Sequence, residues 1–200
     1  MKTWQDALSK PFTLAGEGSG SDPDNFARIL RNVFGAKVKL VHGYKGAPGV
    51  KLAIEKGEVA GICGMPMSTL HAQWSELLGA GRIRPVIQLS GAKGAVPGVD
   101  YVYDLAQSEE DRRVFDLIFG ILRLGKPVVA PPGVPVERVA ALRMAFDATM
   151  RDEQFKADAA RQRIDISPAT GAQVEAFIAR IYATPRAAVE RAKAAVRYTN

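Results

Sequence analysis

Gly16-Glu17-Gly18-Ser19-Gly20-Ser21-Asp22-Pro23-Asp24-Asn25 is the stretch on which the reading of the fold turns. It follows the apolar run Phe12-Thr13-Leu14-Ala15, which reads as a buried strand. It leads into residues 23–34, where Phe26, Ile29, Leu30, Val33 and Phe34 recur at helical spacing. Three glycines let the backbone turn sharply and expose its N–H groups. Asp22 suits an N-cap and Pro23 the first helical position. A strand, a glycine-rich turn and a helix N-terminus together present donors and a partial positive charge, which suits a carboxylate or a phosphate. The competing reading is a turn that only starts a helix. Glu17, Asp22 and Asp24 oppose any bound anion unless they point outward or meet a cation. The pattern excludes two nucleotide motifs. The third dinucleotide-binding glycine would fall at Ser21, and no Gly-Lys-Ser/Thr triplet follows to make a P-loop.

Working outward, short helices and strands alternate. A helix is expected over 3–9, then strand 12–15, helix 23–34 stopped by Gly35, strand 37–41, helix 47–56 closed by Gly57, and strand 59–63. Helix 66–79, strand 83–89 and a Gly/Pro-rich loop at 91–98 follow. This βαβ spacing predicts an α/β fold with a mainly parallel sheet and helices on both faces. Ligands of such sheets sit outside the carboxyl ends of the strands. The loops at that edge supply Gly16 to Ser21, Gly43-Tyr44-Lys45-Gly46, and Gly64 to Ser68.

Beyond a helix at 109–122 and a short strand at 126–130, Pro131-Pro132-Gly133-Val134-Pro135 forms a stiff extended connector. A domain boundary is expected there, dividing 1–130 from a helical segment at 131–200. Four helices are expected in that segment, over 135–150, 152–162, 171–183 and 185–197. Val139, Leu142 and Phe146 make one apolar stripe, and Val174, Phe177, Ile178 and Ile181 another.

Composition narrows the function classes. An apolar share of 47% with 24% charged residues is that of a globular protein rather than a disordered one. No apolar run approaches the roughly 20 residues that span a bilayer, and no apolar core follows Lys2 to make a secretory signal. The net charge is +6. Its arginines are spread along alanine-rich helices rather than clustered with aromatics, so a solvated basic surface is expected and no nucleic-acid partner. Cys63 is the only cysteine and sits in the apolar run Val59-Ala60-Gly61-Ile62, so it reads as a core residue. His42 and His71 are the only histidines, with no carboxylate at a zinc-binding spacing, so no metal site is expected. Nor does Gly18-Ser19-Gly20 fit the Gly-x-Ser-x-Gly elbow of a hydrolase. No cofactor and no catalytic residue are assigned.

Several of these segments, in this order, resemble the periplasmic solute-binding proteins of tripartite tricarboxylate transporters, also called Bug receptors. They are Gly18-Ser19-Gly20-Ser21, Gly43-Tyr44-Lys45-Gly46, Ala53-Ile54-Glu55-Lys56-Gly57-Glu58-Val59-Ala60-Gly61 and Gly81-Arg82-Ile83-Arg84. Ala130-Pro131-Pro132-Gly133-Val134-Pro135 completes the set, running into Arg138, Leu142-Arg143, Ala145-Phe146, Asp152 and Phe155. The resemblance implies a periplasmic-binding-protein type II-like fold, in which 1–130 corresponds to the second, ligand-binding domain. By the same token 131–200 corresponds to the C-terminal helices of a first domain whose sheet is missing here. It implies a small carboxylate-bearing solute, membrane transporter subunits as partners and a periplasmic location. It also implies a substrate site at Gly18, Ser19, Gly20, Ser21, Gly43, Tyr44, Lys45 and Gly46. Two rival expectations are a non-binding regulatory or assembly fragment of such a receptor, and a small hydrolase using His42. If the two apolar stripes lack intramolecular partners, a homodimer through 135–197 is expected.

Overall fold

The computed structural model describes residues 1–90, 93–162, 164 and 166–197. Gly91 and Ala92, in the expected loop 91–98, lie outside the described residues. The fold is mixed α/β with a small parallel sheet, as the alternation of elements predicts. Helix α1 (Trp4–Ser9) starts on a capping box in which the Thr3 hydroxyl accepts from the Asp6 N–H while the Asp6 carboxylate accepts from Thr3. Strand β1 (Phe12–Gly16), helix α2 (Asp22–Asn32), strand β2 (Val38–His42), helix α3 (Gly46–Glu55) and strand β3 (Gly61–Ile62) follow. The three strands are parallel in the order β2-β1-β3. Gly16 stands opposite His42, and Ala15 opposite both Val41 and Ile62.

Successive side chains on a strand face opposite ways, and β1 uses this to join two cores. Leu14 enters a large core with Phe26, Ile29 and Leu30 of α2. Ala15 enters a smaller one with Val50 and Ala53 of α3, Val59 and Trp74. The sheet is thus covered on both faces. In the large core Phe115 sits within 5.4 Å of Phe34, 5.9 Å of Tyr103 and 6.0 Å of Phe119, measured between ring centroids. Phe119 in turn lies 5.5 Å from Phe26. These separations suit tilted and edge-to-face packing of rings.

Three expectations change in the structure. The helix expected over 66–79 is two helices, α4 (Met67–Gln73) and α5 (Ser75–Gly79), broken at Trp74, whose backbone leaves the helical region. Trp74 is buried in the smaller core. Its apolar anchor point, rather than the periodicity of the flanking residues, sets the path there. The strand expected over 83–89 contracts to β4 (Ile87–Gln88), which pairs in parallel with β5 (Asp100–Tyr101). The strand expected over 126–130 does not form, and Val128 and Val129 are 82% and 81% exposed. A strand needs a neighbour for its ladder, and among the described residues none runs beside this segment.

Past α6 (Glu109–Phe119) and a short 3-10 turn (Gly120–Arg123) come four helices. They are α7 (Val136–Arg151), α8 (Glu153–Arg161), α9 (Gly171–Tyr182) and α10 (Arg186–Ala195), each within two residues of its expected ends. Two of them return to the body. In α10, Ala188, Ala192 and Ala195 are buried in the large core, and Arg191 pairs with Glu110 at 3.1 Å and Asp111 at 2.7 Å on α6. On α9, Phe177 is buried against Gly120, where an added Cβ would lie 2.6 Å from the ring. Phe177 of the stripe Val174/Phe177/Ile178/Ile181 therefore has an intramolecular seat, while Ile178 stays 40% exposed. On α7 no residue is fully buried: Val139 and Phe146 are half-buried and Leu142 is exposed.

Candidate functional site at the sheet edge

Parallel strands in register end together, so the loops after β1, β2 and β3 leave the same edge of the sheet. The glycine turn 17–21, the turn Gly43 to Gly46 and the segment Cys63 to Pro66 lie there. Gly18, Gly20, Gly43 and Gly46 all have positive φ, the conformation for which glycine suits a turn. Ser21 is the N-cap of α2 with Pro23 in its first turn, so the cap stands one residue earlier than Asp22. Lys45 is the N-cap of α3 and is exposed.

The centre of the edge is Asp24, which is completely buried. Its Oδ1 accepts from the N–H of Glu17 at 3.0 Å, the N–H of Gly18 at 3.3 Å and the Ser21 hydroxyl at 3.1 Å. Its Oδ2 lies 3.2 Å from Arg28 Nη2 and 3.1 Å from His42 Nδ1. A carboxylate only accepts, so this geometry places the imidazole proton on Nδ1. Gly16 makes room for the cluster, since a Cβ there would lie 2.6 Å from Asp24 Oδ1 and 2.9 Å from His42 Nδ1. Three donors of the turn, two N–H groups and one hydroxyl, are therefore occupied by the protein's own carboxylate. Of the two ways an acid beside this turn can be tolerated, Asp24 meets a cation; Glu17 and Asp22 are exposed.

The eight expected substrate residues fall on two adjacent loops, but they are not equivalent. Ser19 and Gly20 are exposed, whereas the Ser21 hydroxyl is engaged with Asp24. Tyr44 is half-buried against the smaller core, and its hydroxyl donates to Glu58 Oε2 at 3.3 Å. Desolvation, and then the Glu58 carboxylate, raise its pKa above the ordinary phenol value. Asp24, Arg28 and His42 are the polar centre that the glycine-turn reading did not assign. The available signal was the Asp24/Arg28 spacing of four residues on one helix face, which brings an acid and a base together.

At the third loop Cys63 is buried, and burial pushes its thiol up to about 12. The thiolate is the nucleophile, so the folded protein should resist labelling by a disulfide reagent at neutral pH. Unfolding in denaturant should release one reactive thiol per chain. Fast labelling of the native protein would contradict this packing.

A cavity of about 240 Å³ is lined by residues between Lys93 and Asp104, β5 included, and by none of the edge residues. Lys93 and Asp104 line it and pair with each other at 2.9 Å, so it offers an acid no uncompensated cation. Among the described residues no group of three or more His, Cys, Asp or Glu side chains could hold a metal ion, and no helix is long and apolar enough to cross a membrane. A scan of protein-family models finds no match to this chain, and a search of curated proteins finds none either.

Proposed function

We propose that this chain is the solute-binding component of a tripartite tricarboxylate-type transporter, acting in the periplasm beside its membrane subunits. The solute is a small metabolite bearing a carboxylate. One observation carries the reading: two glycine turns that each start a helix stand side by side at the carboxyl edge of a parallel sheet. Motif order along the chain adds to it, and the type II binding-protein fold belongs to the same proposal.

The chemistry of the edge refines the ligand. Because Asp24 holds the Glu17 and Gly18 amides, the ligand acid is met by Ser19, the backbone of Gly20 and 43–46, and Lys45 as counter-charge. The Ser21 oxygen donates its proton to Asp24 and keeps its lone pairs. With exposed Glu17 and Asp22 nearby, it suits an N–H group on the ligand, so an acid that also bears an amine or amide is the best fit. No catalysis is proposed. The Ser21 hydroxyl bonds the carboxylate of Asp24, and His42 meets the other oxygen of the same group, so serine, histidine and aspartate are not in the order of a nucleophilic triad.

Calorimetry with dicarboxylates, aromatic acids and amino acids tests the proposal. Removing two hydroxyls that each contribute about 1 kcal/mol by Ser19→Ala with Ser21→Ala should weaken affinity by about tenfold or more. Unchanged affinity in the double variant would remove the site from this edge. The filled turn also supports a second reading, a non-binding assembly fragment. Folded protein that binds none of these acids would favour it.

A further inference from the structure

We propose that α10 is a strap that ties α2 to α6 and releases as a unit when its charges are screened, while the rest of the large core stays folded. The first ground is what the helix buries. α1, α2 and α6 each put a large aromatic side chain into that core: Trp4, Phe26 and Phe115. The buried residues of α10 are Ala188, Ala192 and Ala195. Each brings one methyl group, and hydrophobic stabilisation grows with the apolar area removed from water.

Polar contacts supply the rest of the hold, at two points. Arg191 bridges adjacent acids of α6, with one nitrogen 3.1 Å from Glu110 and another 2.7 Å from Asp111. The start of α6 fixes Asp111 for this role. Its carboxylate accepts from the Gln107 N–H at 3.0 Å, and its own N–H donates to the Ser108 hydroxyl at 3.1 Å. Charges joined in such a network contribute more than an isolated surface pair. At the far end, the Asn32 side-chain amide of α2 donates to the carbonyls of Ala195 at 2.9 Å and Arg197 at 3.1 Å. The last carbonyls of a helix have no partner within it, so α2 supplies one from outside.

This division of forces makes the strap sensitive to salt and cooperative. The side chains of Arg191 and Glu110 are 48% and 47% exposed, so dissolved ions reach the pair. The screening length falls from about 10 Å at 0.1 M salt to about 3 Å at 1 M. A helix of 10 residues is barely stable in water without packing. Once undocked, α10 therefore unwinds, and its amides open together as one local unfolding unit.

Amide hydrogen exchange in sodium chloride, with rates corrected for the effect of salt on unstructured peptide, gives the test. At 0.1 M the α10 amides are expected to exchange well ahead of those in α2 and α6. At 1 M the α10 rates should rise about fivefold, with α2 and α6 unchanged. Arg191→Met keeps an aliphatic stem and removes the charge. It should speed α10 exchange about tenfold at low salt and abolish the response to salt. Asn32→Ala should also speed α10 exchange but leave the salt response in place. Wild-type α10 amides that exchange in step with those of α2 and α6 overturn the proposal. Wild-type rates that ignore salt overturn it too, as does an Arg191→Met protein whose salt response persists. Each readout is independent of whether the sheet edge binds an acid.

Discussion

Replacing Asp24 with alanine is expected to lower the unfolding free energy by about 3–5 kcal/mol, the range for breaking a buried ion pair from one side. The size comes less from the worth of the pair than from what is left behind. Arg28 is only 4% exposed, so its guanidinium would lose an opposing charge without gaining water. The N–H groups of Glu17 and Gly18 and the hydroxyl of Ser21 would lose their shared acceptor at the same time. Asp24→Asn tests the division between these effects. It keeps an oxygen for the turn but presents an amide to Arg28 and His42, which are donors themselves. Its loss is expected to be substantial but smaller. Urea titrations of the three proteins measure this directly, and an alanine variant within about 1 kcal/mol of wild type, inside the ordinary range for surface changes, would mean that Asp24 does not organise the turn.

Phe115→Ala should cost a similar amount, about 3–5 kcal/mol, as full truncations of buried aromatics do. Phe115 is 1% exposed and stands between Phe34, Tyr103 and Phe119. Those rings come from three separate parts of the chain, so collapse around the hole would require several elements to move together. That argues for the upper part of the range. Phe115→Leu retains much of the volume and should lose markedly less. A Phe115→Ala protein as stable as Phe115→Leu would show that this core repacks freely.

The two results together would separate the two kinds of order in this molecule. Phe115 reports on the body formed by α2, α6 and α10 against the sheet. Asp24 reports on the edge where the proposed ligand sits. If Asp24→Ala also alters acid binding while Phe115→Ala does not, the buried carboxylate shapes the edge as well as stabilising it.

Much of the architecture was legible because it depends on short-range forces. The helix at Asp22–Asn32 is specified by Pro23 in its first turn, an apolar face at a period of 3.6 and the turn before it. Equally local signals placed α3, α6 and the last four helices within a few residues. The convergence of three loops on one edge also followed from the sequence, because parallel strands joined by helices must all end on the same side.

What the sequence left open depended on partners far away in the chain. Asp24 could have faced solvent. Its burial was decided when β2 brought His42 opposite Gly16, beside the Arg28 already one helical turn along. Val128 and Val129 carry strand-forming side chains, yet a strand exists only where another strand supplies the hydrogen bonds, and pairing is not written in a segment's own composition. The stripes on α7 and α9 looked alike, and only packing told them apart: Gly120 left room for Phe177, while Leu142 stays 60% exposed. Periodicity shows that a helix has an apolar face. What that face meets is decided by contacts between residues that the sequence holds far apart.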